Sequence, residues 1–343
     1  MENYTAPNCT DSTPTTSYNF LLPILFAVVV ATGVTGNTLV ICVVRRRRSM
    51  HTTTNYLLLN VACCDIITLI WCPRLYDFLL ENTHPAGRSG DWICKFFTHN
   101  AIMQISVLTS IFTLTIVSVE RYHALVKPMQ VGRRLTEDTV WYAVIASWTA
   151  SFILTVPSFV AIKFDETRKA CTGPFDFHTQ ENLSYMVIIF TVSGILPFLI
   201  LFFCYFQIIR GLYFTRTICS ETTGSRGSLK SKKAITKLLL SITTSFYVCY
   251  FSFGVALLYF KRKPKEEIAE KGEKYETFLK PFLFLLFFHS ALNPILYVLQ
   301  SSNFRQGFKQ ICCGKRNDVM QVTEASTAIP QKSQLQMRSK AVN

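Results

Sequence analysis

Seven separate stretches of mostly apolar residues, Phe20–Val44, Tyr56–Leu80, Cys94–Val119, Val140–Ile162, Tyr185–Ile209, Ala234–Phe260 and Phe278–Leu299, dominate this chain. Each is close to the roughly 20 residues that carry an α-helix across a hydrocarbon core. Inside lipid every backbone N–H and C=O needs an internal partner, so runs of this length can only be helices. Charged residues make up 16% of the chain, against about 25% in an ordinary soluble domain. The fold class that follows is an all-α membrane protein built as a seven-transmembrane helix bundle. It divides the chain into an N-terminal segment 1–19, a bundle 20–299 and a tail 300–343.

The connections orient the bundle. Segments 45–55, 120–139, 210–233 and 300–343 are each net positive, and 45–55 contains the run Arg45–Arg48. Segments 1–19, 80–93 and 163–184 are net negative, and 261–277 is nearly balanced. Basic loops stay in the cytoplasm, which places the N-terminus outside and the C-terminus inside. The formal net charge of +14 is therefore read as a topology signal, and its spread over four loops argues against nucleic acid as a partner. The glycosylation sequons at Asn3, Asn8 and Asn182 all fall on the outer side. The start of the chain has no basic n-region of the kind that opens a cleaved signal peptide. The first span is expected to serve as its own insertion signal.

Most of the twelve cysteines lie within spans or on the reducing side, which rules out a disulfide framework. Cys9, Cys94 and Cys171 lie outside. A bridge from Cys94 to Cys171 would pin the loop 163–184 over the bundle mouth; the alternative is two free thiols.

Ionisable and polar groups at membrane depth are expensive and so are candidates for function. Asp65 sits near the middle of the second span, Asn37 at a similar depth in the first, Ser110 in the third, and Ser290 with Asn293 in the seventh. Together they read either as an ion-free polar network or as an oxygen-ligand site for Na⁺ with Asp65 supplying the charge. Arg74, Asp77 and Glu81 share one helix face at the outer end of the second span. They either pair with one another or turn Arg74 toward an acidic ligand. At the inner end of the third span stands Glu120-Arg121-Tyr122, followed by Pro128, which closes the helix. The expectation there is that Glu120 neutralises Arg121 at rest and that Arg121 is released to a partner when the bundle opens.

In this order and spacing, Gly36-Asn37, Asp65, Glu120-Arg121-Tyr122, Trp148 with Pro157, Pro197 with Tyr205, and Asn293-Pro294 with Tyr297 resemble the motifs of the rhodopsin-like (class A) G-protein-coupled receptors. The character is closest to the peptide-receptor branch, because Pro73 resembles the second-helix proline of many peptide receptors. Phe304 and the basic stretch to Cys312 and Cys313 resemble the short amphipathic eighth helix and its palmitoylation site.

The resemblance implies a plasma-membrane receptor without bond chemistry of its own. An extracellular ligand, favoured as a peptide, would enter between the helices and a heterotrimeric G protein would dock inside. Receptor kinases, arrestin and membrane lipid are further implied partners. Glu120, Arg121, Tyr122, Tyr205 and Tyr297 would form the switch, and Met129 would fill the loop position that inserts into the G protein. Phe246, Cys249, Tyr250, Asn293 and Pro294 take the activation positions. Asp65, Ser110 and Asn293 take the sodium positions, with no cofactor required beyond that allosteric ion. Arg74, Asp77, Met103, Gln104, Val107 and Lys280 are placed around the ligand. Met103 stands where amine receptors carry an Asp, and Phe287 where opsins carry the retinal lysine, so neither ligand class is expected. A lipid or other small-molecule ligand, or high basal activity, is the alternative within this class. A secondary transporter is the alternative outside it, disfavoured because no repeat is visible.

Three departures from the family pattern stand out. Tyr250 replaces the usual Trp and Ser252 the usual Pro, which removes the expected cause of a kink in the sixth helix. Cys94 lies two residues further from Glu120 than the family spacing, which suggests a longer outer end or a bulge. Lys232 occupies the position that often holds an acid for Arg121.

Overall fold

The computed structural model describes residues 18–72, 85, 87–98, 101–130, 132, 134–167, 170–172, 180–215, 226–261, 263 and 265–313. Seven of its helices are long and apolar enough to cross a membrane. They are α1 (Tyr18–Arg46), α2 (Thr53–Ile70), α3 (Ala101–Val126), α4 (Val140–Ala161), α5, α6 (Arg226–Lys261) and α7 (Lys265–Gln300), followed by α8 (Ser302–Cys313). A short helix Gly87–Ile93 and a π-helical turn Cys94–Thr98 precede α3. That turn places a π-helical segment at Cys94 itself. α5 is itself composite: Gln180–Phe190, a π turn at Thr191–Ile195, Leu196–Ile209 and a second π turn at Arg210–Phe214.

Several helices overrun the limits that hydropathy sets. α3 continues to Val126, so Glu120 and Arg121 lie within the helix and not at its end. α6 begins at Arg226 instead of Ala234, and α7 at Lys265 instead of Phe278. The apolar part of α7 starts only at Thr277, so about three polar turns precede the span. Hydropathy marks the length of the hydrocarbon, whereas a helix continues into water wherever strong formers such as the Lys and Glu of residues 265–276 sustain it. The second span was expected to run to Leu80; residues 73–80 lie outside the described residues.

Packing follows chain order. α1 contacts α2, α7 and α8; α3 contacts α2, α4, α5 and α6; α6 lies along α7. The largest apolar cluster occupies the inner part of the bundle and includes Val40, Leu57, Leu114, Ile208, Leu239, Tyr297 and Phe304. Two close approaches depend on glycine. A Cβ on Gly36 would stand 2.8 Å from the Pro294 ring, and one on Gly307 would stand 2.5 Å from Val43. α1 thus meets α7 and α8 with no room for a side chain between.

The outer loop after α4 forms a two-stranded antiparallel hairpin, β1 (Lys163–Asp165) with β2 (Ala170–Thr172), pairing Phe164 with Cys171. The Cys94–Cys171 disulfide is present. The Phe164 backbone N–H donates to Asp91 at 2.7 Å, tying the hairpin to the short helix before α3. The bridge and this bond hold the loop against the outer end of α3, and Cys94, Ala101 and Ile162 form a small buried cluster beneath it.

Candidate functional site

At mid-depth Asp65, Asn37, Ser290 and Asn293 are all buried. Asn293 Nδ2 donates to Asp65 Oδ2 at 2.7 Å. Asn37 Nδ2 donates both to the Gly33 carbonyl at 2.9 Å and across to the Ser290 carbonyl at 3.0 Å. The depth matching read from the sequence therefore corresponds to one network joining α1, α2 and α7. The side-chain oxygens of Asn37 and Asn293 are buried with no hydrogen-bond partner among the described residues. Two orphaned amide oxygens and a carboxylate are all oxygen donors, the chemistry that a small hard cation takes, so the residue types fit Na⁺. Ser110 is buried on α3, where its hydroxyl interacts with the Cys64 thiol, next to Asp65 in the chain.

Above this network the aromatic positions of α6 and α7 pack as a unit. The Phe246 and Tyr250 rings stack at 4.1 Å, and His289 meets both edge-on, at 5.1 and 6.1 Å. Tyr250 packs against both the inner cluster and the outer cluster of Phe26, Leu69 and Phe287. His289 Nδ1 lies 3.3 Å from the Ser245 hydroxyl. Cys249 is buried, and its carbonyl accepts from the Ser252 hydroxyl at 3.0 Å. α6 runs without interruption past Ser252, as a helix does where no proline removes a backbone donor.

The inner end corrects one expectation. No Glu120–Arg121 ion pair forms within 4.0 Å among the described residues; instead the buried Glu120 carboxylate accepts from the Leu135 backbone N–H at 3.1 Å. Neighbouring helix residues point in different directions, and Glu120 points at the loop between α3 and α4. Arg121 still feels the Glu120 charge, with Arg134 and Tyr205 also near, and its Nε is buried without a hydrogen-bond partner among the described residues. Lys232 makes no ion pair within 4.0 Å among the described residues.

Tyr205 shares a hydrogen bond with Thr243 on α6 at 3.2 Å. The Tyr297 ring is fully buried and stacks on Phe304 of α8 at 4.8 Å, and its hydroxyl has no partner among the described residues. The Tyr122 ring packs on Phe203 at 5.7 Å with Lys127 over its face. Met129 is 88% exposed in the turn after α3.

The proposed ligand residues are less unified. Met103 packs against the outer cluster beside α1 and α7, Val107 against the inner cluster, and Gln104 interacts with Tyr185 of α5. Lys280 is half-buried on α7. Arg74 and Asp77 lie outside the described residues, as do Asn3 and Asn8; for Asn182 the backbone is helical and the side chain is outside them. Cys312 and Cys313 are exposed at the end of α8.

Sequence reading missed a second polar network. Asn60 Nδ2 donates to Thr113 at 2.8 Å and Asn60 Oδ1 accepts from Trp148 Nε1 at 3.0 Å, locking α2, α3 and α4 together. Asn60 carries the same signal as Asp65, a polar side chain well inside an apolar run. Thr113 and Thr243 carry none, because a threonine in a helix can always bond back to its own carbonyls.

Against known proteins, residues 36–297 match the family of 7 transmembrane receptors (rhodopsin family). The chain is 26% identical to the tachykinin-like peptides receptor 86C of Drosophila melanogaster over 84% of its own length, and it spans 58% of that receptor. It is 28% identical to the somatostatin receptor type 5 of Bos taurus over 91% of its length, covering 81% of that protein. Among solved structures, squid rhodopsin superposes with a TM-score of 0.69 at 19% identity, over 90% of this chain and 91% of that one, which supports the fold. These relatives are receptors and not enzymes. With residues 36–297, more than half of the chain, matched, this multi-pass membrane protein belongs to the rhodopsin family of seven-transmembrane receptors.

Proposed function

We propose that this chain is a plasma-membrane receptor that binds an extracellular peptide and passes the signal to a heterotrimeric G protein on its basic, cytoplasmic face. The observation that carries the reading is the inner end of α3. A guanidinium, Arg121, is held there with an unpartnered buried Nε beside a helix, α6, whose seam with α5 is loosely filled. A groove of about 400 Å³, open to the surface, runs along α5 and α6 and is lined by Phe202, Tyr205, Phe206, Thr243, Tyr247 and Val248. What ties α6 there is the Tyr205–Thr243 bond, a Ser241–Gln300 bond at 3.0 Å and the Lys233 ammonium over the Tyr213 ring. Each is worth about 1 kcal/mol. Outward movement of α6 breaks these polar links and also draws Leu238, Leu239 and Ile242 away from the inner apolar cluster. It would open Arg121 to a partner, beside the already exposed Met129.

The peptide reading is supported by relatives named for tachykinin-like peptides and somatostatin, and by a hairpin fixed at the bundle mouth, whose backbone suits an extended ligand. Phosphorylation of the inner Ser/Thr-rich segment by receptor kinases, arrestin binding, glycosylation at Asn3, Asn8 and Asn182, and palmitoylation at Cys312 and Cys313 belong to the same reading. The test is a peptide-library screen with nucleotide exchange read on several G-protein families in parallel. Exchange driven by a peptide and lost in Arg121→Ala at matched surface expression supports it. Exchange driven by a lipid alone replaces the peptide with the alternative ligand class.

The Asp65 network supports an allosteric Na⁺ site, in which Asp65, Asn37 and Asn293 would hold the ion and the ion would supply the positive charge that a buried carboxylate needs. Agonist affinity is expected to fall as sodium rises, and Asp65→Asn to abolish the dependence. Equal sodium sensitivity in both would remove Asp65 from that role.

A further inference from the structure

Two places in the sequence carry paired arginines two and three residues before a hydroxyl, Arg46-Arg47 before Ser49 and Arg133-Arg134 before Thr136. Guanidiniums at that spacing are what a carboxylate-lined kinase cleft reads, since Arg and carboxylate pair in a two-point geometry. The structure treats the two places differently. Arg46 belongs to the last turn of α1, Arg47 donates to the Asn303 carbonyl, and Met50, next to Ser49, is buried. Drawing that stretch out into a kinase would unwind the end of α1 and empty a core position.

The stretch before Thr136 is held more lightly. Thr136 and Arg134 are exposed, and so is Gly132, where a Cβ would meet nothing within 4 Å. Leu135, between arginine and threonine, is the anchor. Its N–H donates to Glu120 at 3.1 Å, its carbonyl accepts from the Thr53 hydroxyl at 3.3 Å, and its side chain packs on the inner cluster. Thr136 opens the turn into α4. Its Oγ1 accepts from the Thr139 N–H at 3.2 Å, and its own N–H donates to the Thr139 hydroxyl at 2.8 Å. Thr139 is exposed as well, but two and three residues before it stand Glu137 and Thr136. The two threonines share one turn and differ in what precedes them.

We propose that Thr136 is a phosphorylation site for an arginine-directed protein kinase, and that the Glu120–Leu135 bond gates it. In the step the γ-phosphoryl group of ATP passes to Thr136 Oγ1, its bond to ADP breaks, and the hydroxyl proton leaves to the kinase's carboxylate base. A kinase cleft takes its substrate extended, so the receptor with Leu135 fastened is a poor substrate, and release of Glu120 frees the stretch. The product carries about −1.5 to −2 of charge, one residue from the amide that Glu120 holds. Like charge then opposes the return of Leu135 to the carboxylate, and the modification keeps the loop off α3.

The proposal rests on the reading that this face is cytoplasmic; its test uses kinase and receptor alone, so it succeeds or fails independently of ligand and G protein. Purified full-length receptor in nanodiscs is incubated with ATP and the catalytic subunit of cyclic-AMP-dependent protein kinase, and phosphate is located by peptide mass mapping. Phosphate is expected on Thr136 and not on Thr139. Glu120→Gln is expected to raise the rate at Thr136 about fivefold, the ratio between a charge-assisted and a neutral hydrogen bond. Arg134→Gln is expected to lower it at least about tenfold. Should that variant have a lower unfolding midpoint, Arg133→Gln carries the same expectation. No phosphate on Thr136 in parent or Glu120→Gln, with the kinase active on a standard arginine-containing peptide, overturns the site. So does equal labelling of Thr139. Equal rates in parent and Glu120→Gln overturn the gate, and unchanged amide exchange at Leu135 after phosphorylation overturns its effect on the loop.

Discussion

In the inner half of the bundle one apolar cluster reaches from Val40 on α1 to Phe304 on α8, and polar side chains within it are bonded across helices, as at Asn60–Trp148. In the outer half, among the described residues, the clusters are small: Phe26, Leu69 and Phe287 join α1, α2 and α7, while Cys94, Ala101 and Ile162 sit under the hairpin. There a covalent bridge does what packing does below. On the proposed reading such a division would let the mouth be reshaped around a ligand without loosening the core, and the α5–α6 seam is where the inner half is expected to move. A groove open to the surface runs along that seam.

Breaking the outer bridge tests this most severely. Cys94→Ser is expected to cost about 2–5 kcal/mol, read as a lower unfolding midpoint, and to reduce surface ligand binding more than it alters basal nucleotide exchange. An equal loss of both would mean that the halves are not separately held. Overfilling the inner half comes next. Gly307→Leu drives a side chain into Val43 and is expected to cost about 1–3 kcal/mol, with ligand affinity preserved and G-protein activation reduced. The smallest effect on stability is expected at the seam. Thr243→Val removes the Tyr205 partner for about 1 kcal/mol or less, yet basal exchange is expected to rise. An unchanged basal rate would show that the seam is not where α6 is restrained.

Much of this arrangement was legible beforehand for a physical reason. Lipid enforces apolar runs of fixed length, so the seven spans and their order follow from hydropathy, and a polar side chain such as Asp65 or Asn293 stands out at depth. The same force leaves no mark where water begins, which is why the starts of α6 and α7 were placed too late. Direction was also hidden. The adjacency of Glu120 and Arg121 in sequence suggested a pair, but which way each side chain points depends on where the loop carrying Leu135 returns, a tertiary fact. Asn60 was readable and overlooked, whereas the Tyr205–Thr243 bond could not be read from residues that each have local partners available. The composite α5, with its two π turns, left no compositional trace.

The central claim is that the receptor rests with Glu120 fastening α3 to the inner loop, and with the Tyr205–Thr243 and Ser241–Gln300 bonds adding to the packing that holds α6. Basal GDP release from a heterotrimeric G protein, measured with purified parent and Glu120→Gln receptor at equal concentration, tests it directly. Glutamine keeps the shape but not the charge, and a charge-assisted bond to the Leu135 N–H exceeds a neutral one by about 1 kcal/mol. The predicted result is a basal rate raised about fivefold, with Arg121→Ala in the same assay abolishing activation. A basal rate identical to the parent's, with Arg121→Ala still inactive, would contradict the account: the inner loop would then not be part of the restraint.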